Sequence, residues 1–124
     1  MSMSANAYRI VSTEEHDIQV ALLEYVALRG RKDMFVFAIP NAGRRSPRVG
    51  RRMKAEGLKA GIADLCFMLK DQRVAWMELK TETGRYSPAQ KKFRAICDAL
   101  NHVYLQPRSL DQAIKMLKNL GLVK

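Results

Sequence analysis

The sequence predicts a mixed α/β domain in which a central sheet is covered by helices. Three observations carry that expectation. Short apolar runs of strand length stand at residues 34–39, 62–69, 73–80 and 102–105. Apolar stripes with helical spacing alternate with them. Proline, glycine and serine stand between these segments as caps and stops.

Residues 1–12 read as a loose start. Thr13 is an N-cap candidate, with Glu14 and Glu15 in the first turn, where carboxylates meet the helix dipole favourably. Ile18, Leu22, Tyr25 and Val26 then form one stripe, broadened by Val20 and Leu23, and Gly30 stops it. Met34 to Ile39 reads as a strand ended by Pro40. Residues 47–56 form a short helix, with Pro47 near its first position and Gly57 as its stop.

Ile62 to Leu69 reads as a strand buried on both faces, and Lys70-Asp71-Gln72 turns it into a third strand, Arg73 to Lys80. Ser87 caps a helix with Pro88 at its first position and Phe93, Ile96, Cys97 and Leu100 as its apolar positions. His102 to Leu105 is a fourth strand. Ser109 caps a last helix, with Leu110, Ile114, Leu117 and Leu120 on one face and Gly121 at its end. That leucine face is either a lid on the core or a dimer surface. No internal repeat or linker divides the chain, so residues 1–124 read as one domain with a core over about 13–110.

Composition excludes several classes. With 48% hydrophobic residues the chain can bury a core, so it is not disordered. No apolar run approaches the roughly 18–20 residues a spanning helix needs. The N-terminus lacks a basic-then-apolar leader, which predicts a cytoplasmic protein. Cys66 and Cys97 are isolated in apolar segments, as in a reducing compartment. The formal net charge is +10, which points to a polyanion, nucleic acid first.

That charge is unevenly placed. Residues 41–61 and 85–124 are each net +6, whereas 1–40 and 62–84 are each net −1. The first basic block contains Arg44, Arg45, Arg48, Arg51, Arg52, Lys54 and Lys59, set among Asn41, Gly43, Ser46 and Gly50. A generic basic stretch solubilises a surface. Arginine beside small polar residues also suits bidentate contact with phosphate.

Between the basic blocks lies the constellation that carries chemistry. Glu78 and Lys80 are two apart on a strand and so share a face. Around them stand Val74, Ala75, Trp76, Met77 and Leu79, where a charge is costly unless paired or used. The hairpin can bring Asp64 close to Glu78. Two adjacent carboxylates resist ionisation without a cation, and Mg²⁺ takes one or two carboxylates together with waters and phosphate oxygens. The alternative is a surface ion pair, Glu78 with Lys80, and an unrelated aspartate.

The segments Gly61-Ile62-Ala63-Asp64, Met77-Glu78-Leu79-Lys80 and Gly84-Arg85-Tyr86-Ser87-Pro88-Ala89-Gln90 resemble the VRR-NUC branch of the PD-(D/E)XK nuclease superfamily. So do Pro40-Asn41-Ala42-Gly43-Arg44-Arg45, the stretch from Lys54 to Gly61, and a first helix with Glu15 and Gln19 four apart. Ala63 stands where the superfamily pattern has proline, which shapes a turn and binds no metal. The resemblance implies a restriction-endonuclease-like core of order α-β-β-β-α-β plus a C-terminal helix. It implies that Asp64, Glu78 and the Leu79 carbonyl bind Mg²⁺ or Mn²⁺, with Glu15 supporting the metal from its helix. Lys80 would position the attacking water, and Gln90 would hydrogen-bond to the site or to the scissile strand. Gln19, Asn41, Arg44, Arg45, Arg48, Arg51, Arg52, Lys54, Lys59 and Arg85 are the DNA-contact candidates.

The activity so implied is metal-dependent hydrolysis of DNA, structure-selective on branched substrates such as four-way (Holliday) junctions or flaps. One small domain has one active site, so cutting two strands symmetrically implies a homodimer. A non-catalytic DNA-binding module with a nuclease-like fold is the competing reading. A sequence-specific restriction nuclease is a third, although no base-reading element is recognisable. Two basic blocks predict DNA binding whose affinity falls steeply and linearly with log salt concentration; a titration over increasing salt that left it flat would remove the electrostatic reading.

Overall fold

The computed structural model describes residues 3–40 and 46–124, and side chains from Glu14 onward within those spans. Expectations for Asn41, Gly43, Arg44 and Arg45 lie outside the described residues.

Four helices and four strands follow in the order α-β-α-β-β-α-β-α. Helix α1 is Met3–Arg29, followed by β1 (Phe35–Ala38), α2 (Pro47–Ala55) and β2 (Leu65–Met68). Strand β3 (Val74–Met77), α3 (Pro88–Ala99), β4 (Val103–Leu105) and α4 (Leu110–Asn119) complete the chain. The mixed α/β expectation holds. One boundary does not: α1 begins at Met3, ten residues before Thr13. Residues 3–12 contain no glycine or proline, so nothing breaks the helix, and Thr13 is an interior position.

The other caps act where the local sequence put them. Ser46 Oγ accepts from the Val49 N–H, Ser87 from Gln90 and Ser109 from Gln112, with prolines at the first turns of α2 and α3. At the β2–β3 turn, Asp71 and Gln72 both have φ 63°, in the left-handed region, within the three-residue loop Lys70–Gln72 that the 69–73 pair closes.

The sheet has the order β1-β2-β3-β4. Its first three strands form an antiparallel meander, and β4 joins β3 in parallel after the α3 crossover. Its side chains alternate between two layers. On one face Leu65, Phe67, Ala75, Met77 and Leu79 pack with Leu22 and Val26 of α1, Ala113 and Leu117 of α4, and the C-terminal Leu122 and Val123. On the other, Phe93 of α3 meets Trp76 and Tyr104 edge-on at centroid distances of 5.3 and 6.0 Å. The leucine face of α4 is thus a core lid, with Leu117 fully buried; Leu120 at its end is exposed.

All four strands are shorter than their apolar runs, β2 and β3 the most, and β2 is not buried throughout, because Met68 is exposed. The ladder of β3 continues only towards β4: the Glu78 N–H donates to the Leu105 carbonyl at 2.9 Å, and Lys80 to Pro107 at 3.2 Å. On the β2 side, the 69–73 hydrogen-bonded pair fixes the alternation, so Leu79 would bond the Ala63 carbonyl. Asp64 Oδ2 accepts the Leu79 N–H instead, at 2.7 Å. The two strands part here, and the side chain that parts them belongs to the candidate site.

Phe67 fills the centre of the α1/α4 layer. Replacing it with alanine should cost about 3–5 kcal/mol in urea unfolding, against at most about 0.5 kcal/mol for the same change at exposed Phe35.

Candidate active site

The β2–β3 register pairs Leu65 with Met77, and its next step sets Asp64 against Glu78. That is a non-hydrogen-bonded position, where facing side chains approach most closely. Asp64 is anchored on both sides: its carbonyl accepts from Ile39 N–H at 2.8 Å, and its carboxylate accepts from Leu79 N–H. Glu78 is only 2% exposed. Burial pushes its carboxyl far above the usual range, and a hydrogen bond to Asp64 together with the Asp64 charge pushes it further. Lys80 pulls in the opposite direction, less strongly. Glu78 is therefore the acid of the pair whose carboxyl resists ionisation.

The opposite flank of Glu78 is set by α3. Gln90 closes a capping box in which its Oε1 accepts the Ser87 N–H at 2.8 Å. With its oxygen so used, its amide Nε2 faces outward and donates to Glu78 Oε1 at 3.2 Å. The cap thereby fixes which end of Gln90 meets the acid. Gly61 holds this helix end near the strand that leads to Asp64. Its φ is +80°, and a Cβ there would collide with Ala89 and stand 2.7 Å from the Gln90 nitrogen.

Glu15, on α1, feels Lys80 and Asp64. Partial desolvation raises its carboxyl, Lys80 opposes this, and Asp64 and Glu14 add to the rise. Gln19 is half-buried one turn further on. The Lys80 ammonium lies 5.3 Å from the centroid of the Tyr86 ring. Thus Glu15, Asp64, Glu78, Lys80 and Gln90, which lie far apart in the sequence, converge at one end of the sheet. Tyr86, which the sequence shows only inside the Gly84–Gln90 motif, and Arg108, which carried no signal, join them. Arg108 donates from Nη1 to the carbonyls of Thr81 and Gly84.

Among the described residues no three His, Cys, Asp or Glu side chains cluster as a metal cage. Asp64 and Glu78 offer a pair of oxygen donors, with Glu15 outside that pair. Two facing carboxyl groups fit a hard divalent ion that keeps waters and phosphate oxygens, and do not fit a closed zinc site.

The basic residues lie on the rim. Helix α2 has no buried residue, and Arg48, Arg51, Arg52 and Lys54 are exposed, as are Lys59 and Arg85. Arg51, Lys54 and Lys59 line a cavity of about 900 Å³ between the end of β1, α2 and residues 57–62. Gly61 also lines it, so the basic cavity adjoins the start of α3.

The raised Glu78 carboxyl makes stability depend on pH. Where the folded chain keeps a proton on Glu78 that the unfolded chain releases, folding takes up a proton. This contribution to the stability of the metal-free protein should fall as pH rises from 4.5 to about 9 and level off above that. Glu78→Gln, which keeps an amide donor towards Asp64, should flatten that slope in thermal unfolding across pH. An equal slope in both proteins would remove the Glu78 contribution.

No protein-family model matches the sequence, and no curated protein matches it. Two solved structures share its fold. One, described as a VRR_NUC domain protein, superposes with TM-score 0.67 at 18% identity, covering 84% of each chain. Another, described as a VRR_NUC domain, gives TM-score 0.58 at 17% identity, covering 84% of this chain and 94% of the other. With its four-stranded mixed sheet flanked by helices, the chain has the fold of these VRR_NUC domains.

Proposed function

We propose that this protein is a Mg²⁺- or Mn²⁺-dependent DNA endonuclease, selective for branched DNA such as four-way junctions or flaps and acting as a homodimer. The observation that carries the reading is the buried Glu78 carboxyl facing Asp64, with Lys80 two residues on. A buried acid pair costs stability, and a site that binds a cation recovers it as function.

Asp64, Glu78 and the Leu79 carbonyl would hold the ion. Bound there, it would polarise a phosphodiester and lower the pKa of a water. Gln90 keeps the Glu78 carboxyl turned towards Asp64. Lys80 orients the attacking water and offsets charge developing on the phosphate. Glu15 draws the Lys80 ammonium towards the site. The exposed arginines and lysines of α2, with Lys59 and Arg85, take phosphates of the duplex arms. No described helix is long and apolar enough to cross a membrane.

The test is a panel of four-way junction, flap, splayed-arm and linear duplex DNA, incubated with Mg²⁺ or Mn²⁺. Branched DNA should be cut, and a chelator should stop the reaction. Asp64→Ala, Glu78→Ala and Lys80→Ala should each lose on the order of 10²-fold or more in kcat while still binding DNA. Inertness towards every substrate would leave a DNA-binding module. Equal cutting of linear duplex would end the claim of structure selectivity.

A further inference from the structure

We infer that Arg108 is a positioning residue for Lys80, acting through the turn at residues 81–84 and through the Tyr86 ring. The inference rests on the nuclease reading for its kinetic readout only.

Arg108 lies between β4 and α4. Its own backbone is fixed, since its N–H donates to Gln112 Oε1 at 2.7 Å and the preceding Pro107 carbonyl accepts the Lys80 N–H. From that anchor the side chain crosses to the chain that leaves Lys80. Its Nη1 meets the carbonyls of Gly84 at 2.7 Å, Thr81 at 2.8 Å and Glu82 at 3.3 Å. These carbonyls converge because the turn is tight: Gly84 N–H donates back to Thr81 at 3.2 Å. A permanently charged donor suits such a cluster of partial negative charges.

The turn so held touches Lys80 directly. A Cβ built on Gly84 would stand 3.3 Å from Lys80 Cδ and 3.1 Å from Thr81 Oγ1, so the glycine packs against the lysine stem. Beyond the turn, one ring serves two cations. The Arg108 guanidinium is 5.5 Å and the Lys80 ammonium 5.3 Å from the Tyr86 centroid. Tyr86 acts here as a ring, because its hydroxyl is buried and has no hydrogen-bond partner among the described residues. Lys80 has a long stem with many rotamers. Arg108 removes most of them from two directions, by pressing the turn against the stem and by holding the ring under the ammonium. A water-positioning group gains rate from such restriction without gaining substrate affinity.

The experiment compares Arg108→Ala, Tyr86→Leu and Tyr86→Phe with the unaltered protein. Arg108→Ala and Tyr86→Leu should each lower kcat on the order of 10²-fold, with KM for DNA within about threefold. Tyr86→Phe, which keeps the ring and discards an unpaired hydroxyl, should restore kcat to within about threefold. Hydrogen exchange of the 81–86 amides should accelerate in Arg108→Ala and not in Tyr86→Phe. The Lys80 methylene resonances should change from one ordered set to an averaged one in Arg108→Ala and Tyr86→Leu. Should Arg108→Ala fail to fold, the Tyr86 pair decides alone. An unchanged kcat in the folded variants, or equal damage from Leu and Phe at position 86, would overturn the inference. If the unaltered protein cuts no DNA, the nuclease reading fails separately. The Lys80 resonances then judge this one, and an unaltered spectrum in Arg108→Ala overturns it.

Discussion

The apposition of Asp64 and Glu78 is the constraint around which the rest of this structure is arranged. Placing two acids side by side, one of them almost fully buried, is unfavourable unless every polar atom around them finds a partner. Each neighbouring element supplies one. The start of β2 brings Asp64, whose carboxylate takes a backbone N–H from beyond β3. Helix α3 brings Gln90, whose oxygen is committed to a cap so that its amide is free for Glu78. Helix α1 brings Glu15 into the field of Lys80. The strands separate at this point because a side chain has replaced a rung of the ladder.

Charge is sorted by depth. The acids lie at the end of the sheet, and Glu78 among them is buried. The arginines and lysines of α2 are exposed, on a helix that contributes nothing to the core. Such a helix has no packing reason to be so basic. Two solved domains with the same topology, at 17–18% identity, indicate how far sequences can diverge while this arrangement of strands and helices persists.

Much of the fold was legible because its signals were local. The Ser-Pro pairs at 46–47 and 87–88 mark helix starts through hydrogen bonds made within three residues. The 70–73 turn fixes a hairpin register, and from that register Asp64 must face Glu78. The same locality misled at Thr13, where a cap residue and following acids resemble a start although no breaker precedes them. Met68 likewise reads as core from its run of apolar neighbours. It is exposed because α3 covers only the β4 side of that face.

The sequence by itself determined the element order, the caps, the hairpin that pairs two acids, and the separation of basic from acidic segments. All of these depend on contacts between near neighbours or on composition. Tertiary structure alone decided that α4 faces the core and that Glu15 joins Lys80. It also decided that Arg108 reaches residues 24 to 27 positions earlier to hold the turn beside that lysine. Those outcomes depend on the packing of helices on the two faces of the sheet. The free energy of such packing belongs to surfaces that no short window of sequence contains.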